Sequence, residues 1–201
     1  LVLVFSLVAC SDNGTETKSE TKTETAGEAG TATEAGTIEK IALGTSVSLG
    51  SSKDSTAQQD VTIAALALDA EGKIVKAHID VAQSKFKVKE DGTFEVAPES
   101  AEFKTKHELK DDYGMKKASG IEKEWFEQAD ALQEAWKGMT IEEALNMKKD
   151  AEKDTLTDLA SSVTVKVSGY QNALKAASEN LIDAKGAEKL GLGVYTVFGH
   201  S

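Results

Sequence analysis

Two short segments of this 201-residue chain combine residue types that can hold a ligand. Asp111 to Gly120 is a glycine-bounded loop carrying an aromatic ring (Tyr113), a thioether (Met115) and two lysines (Lys116, Lys117), with Gly114 between ring and sulfur. Placed just before a helix, it could hold a planar aromatic ring and an anionic group. Asp158 to Gly169 runs small hydroxyl residues, Ser161, Ser162 and Thr164, past Lys166 into another helix. Backbone N–H groups and hydroxyls in such a turn can cradle a phosphate. Ordinary capping and turn formation use the same residue types, so both readings stand at this level.

Other chemistries find no residues. His78, His107 and His200 are far apart with no ligand spacing, and Cys10 is the one cysteine, so CxxC, a thiolate metal centre and an intrachain disulfide are excluded. No nucleophile elbow, Walker loop or GxGxxG occurs, so neither catalytic nor metal-binding residues are assigned. Glu142-Glu143 and Asp111-Asp112 are sequence neighbours whose side chains point apart, poor acid–base pairs. The net charge of -11 opposes nucleic acid, and all 23 basic residues are lysines, which removes bidentate guanidinium recognition of phosphate.

The elements that must position the two segments read as α+β: an antiparallel sheet of hairpins packed with about three helices over 38–187. A first strand is predicted at Ile41, Leu43, Val47 and Leu49, broken by Gly44 and Gly50. A hairpin follows over Val61 to Val81 about Asp69-Ala70-Glu71-Gly72, with Val75, Ala77, Ile79 and Val81 on its apolar face and His78 on the surface. A second is expected at Phe86 to Val96 about Asp91-Gly92, burying Phe86, Val88, Phe94 and Val96. Ser119-x-x-Glu122 and Thr140-x-x-Glu143 fit capping boxes, opening helices from Ile121 to Trp136 and from Ile141 to Met147. A strand at Ser162–Val167 and a helix from Gly169 to Ala184, striped by Tyr170, Ala173, Leu174, Ala177 and Leu181, complete the unit.

Leu1 to Ala9 is an uncharged apolar run closing on Cys10, after which the chain turns polar. Such a run is the mark of an export signal. Leu7-Val8-Ala9-Cys10 resembles the lipobox of bacterial lipoproteins, so 1–10 is expected to be a truncated signal and Cys10 the lipidated residue. Two acyl chains bury many methylenes at about 0.8 kcal/mol each. The resemblance implies a lipid anchor on the outer face of the bacterial cytoplasmic membrane. Residues 11–37, rich in Thr, Glu, Lys, Gly and Ala without any aromatic, read as a disordered tether with a mean reach of roughly 30 Å. Glu188 to Ser201 aligns without gaps on Glu39 to Ser52, six of fourteen positions matching, Gly44/Gly193 among them. That self-similarity marks 188–201 as the start of a truncated second repeat, expected to be loosely placed from Gly191 on.

The order of parts resembles the FMN-binding domain of bacterial exported flavoproteins. Leu66 to Val75 looks like that family's hairpin V-x-V-x-D-G-K-I-x-x-V, Tyr113 to Lys117 its glycine-and-basic loop, and Ile121 to Gly138 its helix ending near G-K. Ser161-Ser162-Val163-Thr164-Val165-Lys166 stands in place of S-G-A-T-x-[ST]. The resemblance covers about residues 38–184 and implies an FMN-binding-domain-like fold, electron transfer and a redox partner. Ser161, Ser162, Thr164 and Lys166 would meet the phosphate end and Tyr113 or Met115 the ring, with Gly114 and Lys117 also among the cofactor-binding residues. Lys166 replaces the hydroxyl that accepts covalent flavin, so FMN would be held non-covalently. The alternative is a non-catalytic envelope binding module whose flavin site is vestigial.

Overall fold

The computed structural model describes residues 2–10, 37–97 and 103–197. The strands are β1 (Val2–Cys10), β2 (Ile38–Ser48), β3 (Thr56–Leu68), β4 (Ile74–Lys87), β5 (Lys149–Asp150), β6 (Thr155–Leu156), β7 (Leu181–Ala187) and β8 (Lys189–Val197). The helices are α1 (Lys106–Leu109), α2 (Trp125–Trp136), α3 (Ile141–Leu145) and α4 (Ser168–Ser178). Four strands form an antiparallel sheet in the order β4-β3-β2-β7, so the fold is α+β, as expected. β1 pairs with β8 in a separate two-stranded sheet. Residues 11–36 of the expected tether over 11–37, and residues 198–201 of the expected repeat, His200 among them, lie outside the described residues.

β3 is buried along Val61–Leu68 because both faces of the sheet are covered. One face carries α2 and α4. There Leu66, Ile79, Val81 and Ala42 meet Trp125, Leu132, Trp136 and Leu174. The indole N–H of Trp125 donates to the Tyr170 hydroxyl at 2.8 Å, tying α2 to α4 within the apolar layer. The other face carries Ile41, Ile63, Ala65 and Ala67, which lie under Leu190, Leu192 and Val194 of β8. The expectation of a loosely placed end is thereby corrected over 191–197: that segment is a paired strand whose apolar residues cover the sheet.

Other expectations change for local reasons. Leu68 pairs with Ile74 and Ala67 with Lys76, so Val75 is bulged out of register and turns to the β8 face. The Asp91-Gly92 turn forms, with Gly92 at φ +84°, yet only Val88 and Phe94 pair beyond it. Val96 is 63% and Phe94 38% exposed there instead of buried, and Phe86 and Val88 are only half-buried. α2 starts at Trp125, four residues later than predicted, because Glu122 takes φ +53° and Ser119 Oγ accepts the N–H of Lys123 at 3.1 Å. The working box is Glu124 with Glu127, whose carboxylate accepts the Glu124 N–H at 2.8 Å. The box at Thr140 and Glu143 forms as read, although α3 ends at Leu145. Ser162–Val167 is irregular backbone instead of a strand. α4 ends at Ser178, and Leu181, expected on its stripe, begins β7 against β2.

α4 touches the sheet backbone to backbone. A Cβ at Gly44 would overlap the Ala173 carbonyl oxygen and the Ala177 nitrogen, and lie 2.8 Å from Ala177 Cα. Gly193 of β8, its counterpart in the repeat alignment, has nothing within 4 Å of a Cβ. Gly44→Ala is expected to destabilise the chain by about 3 kcal/mol through overpacking against backbone that cannot step aside. Gly193→Ala should stay within about 0.5 kcal/mol, as at open surface sites. Equilibrium urea unfolding of both variants checks the pair.

Candidate functional site

The two sequence-predicted segments come together. Thr164 Oγ1 donates to the Ser119 carbonyl at 3.0 Å, joining the loop before α2 to the turn before α4. Their donors, however, are engaged within the protein. Gln128 is fully buried on α2, and its carbonyl oxygen accepts the N–H groups of Thr164 at 2.8 Å and Val165 at 3.2 Å. Ser162 N–H donates to the Leu159 carbonyl at 2.8 Å. The side chains of Ser161 and Lys166 are exposed. Of the expected phosphate cradle, its backbone N–H groups at 162, 164 and 165 are thus already paired.

The loop before α2 behaves similarly. Gly114 adopts φ +73° and closes a 3₁₀ turn over Lys110–Tyr113. The N–H groups of Met115 and Lys116 both point at the buried Glu124 carboxylate, at 2.8 and 2.9 Å. Burial raises the Glu124 pKa, but the donors from Lys116, Met115 and Trp125 outweigh it, and the group ends below the ordinary glutamate value. A carboxylate already sits where this loop could have received an anion. The Tyr113 ring is half-buried with the Lys106 ammonium 4.7 Å from its centroid, a cation–π contact. Met115 packs its side chain on the core, and Lys117 is exposed.

The start of α4 is closed by a second carboxylate. Asp154, at φ +57° in the turn between β5 and β6, accepts the Ser168 hydroxyl at 2.7 Å and the Ser168 N–H at 3.2 Å. Its backbone carbonyl accepts the Val167 N–H at 2.9 Å. The Lys149 ammonium lies 3.1 Å from the same carboxylate and also reaches Ser168 Oγ and Gln171 Oε1, each at 3.3 Å. A negative group at a helix start is electrostatically favoured, and here the protein supplies its own. Burial raises the Asp154 pKa, while the Ser168 and Lys149 donors lower it by more, leaving it depressed.

Sequence reasoning missed Gln128, Glu124 and Asp154. Gln128 did leave a signal. It occupies the buried stripe of α2 with Trp125, Ala129, Leu132 and Trp136, and a polar residue at a core position must have partners. Asp154 sits among Lys, Asp and Glu in a charged stretch and leaves none. Among the described residues no group of His, Cys, Asp and Glu is arranged to hold a metal ion. No helix among them is long and apolar enough to cross a membrane. No family model, curated protein or solved structure matches the chain.

Because the folded-state pKa of Asp154 is depressed, its stabilisation is present above the unfolded aspartate value of about 3.9 and is lost as pH falls through the folded value. Asp154→Ala is expected to cost about 1–2 kcal/mol at pH 7, the range of a lost helix cap. Its deficit should shrink below about pH 4. Urea midpoints at pH 7 and pH 3 measure both effects.

Proposed function

We propose that this chain is a lipid-anchored envelope module that binds and does not catalyse. It combines an FMN-binding-domain-like α+β unit with a flavin site closed by its own side chains. The observation that carries this reading is Asp154 at the start of α4, held by Ser168 and Lys149 where a ligand phosphate would need those donors. Gln128 adds to it, because the N–H groups of Thr164 and Val165 have no second hydrogen to offer. As they stand, these residues do not fit FMN. Cys10, which ends β1 opposite Lys189, would carry the acyl chains once β1 leaves β8, and the 11–37 tether would then hold the domain off the outer face of the cytoplasmic membrane.

The second reading, a non-covalent flavin electron carrier serving a redox partner, draws support from the 3.0 Å contact that brings the Tyr113 and Thr164 segments together. Absorbance after mixing the full chain with FMN and desalting separates the two. The binding module should emerge colourless. Retained flavin bands that disappear in Lys166→Glu would replace it with the carrier. The anchor has its own test: Cys10→Ser, expressed from the native gene, should move the protein from the membrane fraction to the soluble one. Unchanged partition would remove the lipid anchor from the proposal.

A further inference from the structure

A cleft of about 520 Å³ lies between β4, α1 and β8, and Lys110, at its mouth, adjoins the first predicted segment. His78, Asp80, His107, Glu108 and Lys110 supply its charged and titratable lining, and Leu192 to Val194 its apolar wall. Asp80 is the informative group. Its side chain is 8% exposed, and Oδ1 accepts the N–H groups of Val81 at 2.7 Å and His107 at 3.2 Å. Among the described residues no donor meets Oδ2, and no buried side-chain oxygen is left without a partner, so Oδ2 opens on the cleft. A carboxylate held this deep, with one oxygen reserved by the protein and one presented to a cavity, calls for a donor from a ligand.

The surroundings specify the donor's charge. His78 Nε2 lies 3.1 Å from the Leu190 carbonyl and must donate to it, which leaves Nδ1 an acceptor. Burial lowers the His78 pKa, so the ring is neutral at pH 7. His107 Nε2 faces Asp130 at 3.6 Å, and Glu108 Oε2 is held by the Thr105 N–H at 2.7 Å. Lys110 is exposed at the mouth, its cation outnumbered by the carboxylates of Asp80 and Glu108. The net charge of -11 adds a field that concentrates cations and repels anions.

We infer that this cleft is the ligand site of the module, and that it takes a small molecule presenting a primary ammonium group to Asp80 Oδ2. The inference rests on the binding-module reading for its biological setting, but its chemistry stands on the cleft alone. The ammonium would donate to Asp80 while the ligand's carbon skeleton lies along Leu192 and Val194. Flavin retention would overturn the reading and leave this titration untouched.

The test is an amide-resolved NMR titration of the full chain with 1,4-diaminobutane at 150 mM salt, succinate serving as the anionic control. Saturable shifts at 78–80, 105–110 and 190–194 are expected, weakened about tenfold in Asp80→Asn, which keeps an oxygen for the two backbone donors. Val194→Trp, which narrows the cleft without touching Asp80, should weaken binding comparably. Shifts scattered over acidic surfaces and indifferent to both substitutions would overturn the site. So would succinate moving the same amides in place of the diamine.

Discussion

The approach of α4 to β2 at Gly44 is the constraint on which the remaining structure depends. With no side chain between them, the helix lies on the strand through the Ala173 carbonyl and the Ala177 backbone. That depth puts Ala173, Leu174 and Ala177 fully inside and brings Tyr170 under the Trp125 indole. Burial in turn raises the Tyr170 pKa, so its hydroxyl stays protonated and accepts from Trp125 as a neutral group. A helix fixed this closely also fixes its first residue. The Ser168 donors then fall where the β5–β6 turn can reach them, and that turn ends in Asp154.

A sheet this apolar on both sides needs two covers. The helices provide one, through two tryptophans that are almost wholly buried. β8 provides the other as one strand of the two-stranded β1–β8 ribbon, which is a thin cover. It leaves room beside α1 for the cleft, and it shields His78 enough to make that histidine half-buried, where alternation alone would have put it in solvent.

Much of the α+β pattern could be read from residue order, because the signals were local. The Asp69 to Gly72 and Asp91-Gly92 turns, the Thr140 box and the Tyr170-Ala173-Leu174-Ala177 stripe are each set within a few residues and appear where expected. What failed was decided at a distance. Leu181 continues the α4 period perfectly well on paper, yet β2 has a free edge and takes it as a strand. Ser119 has the right spacing for a cap, but Thr164 and Lys123 use it otherwise. The site followed the same rule. Its two segments were recognisable from composition and do meet, while the groups that occupy their donors lie outside them, Glu124 just beyond the first, Asp154 before the second and Gln128 on α2, far from the second in sequence.

That occupation has a physical direction. A phosphate arriving at α4 would have to displace a carboxylate already ion-paired to Lys149 and bonded twice to Ser168, and the displaced Asp154 would then repel it at close range. The Glu124 carboxylate does the same to the N–H pair of Met115 and Lys116. In each case the protein has an intramolecular anion, whose effective concentration at its own donors exceeds any free ligand's. The cleft on β4 is arranged the opposite way. Its buried carboxylate retains an open oxygen, so a donor from solution competes only with water. A site is therefore better recognised by which polar atoms the fold leaves open than by how closely a stretch of sequence matches a motif.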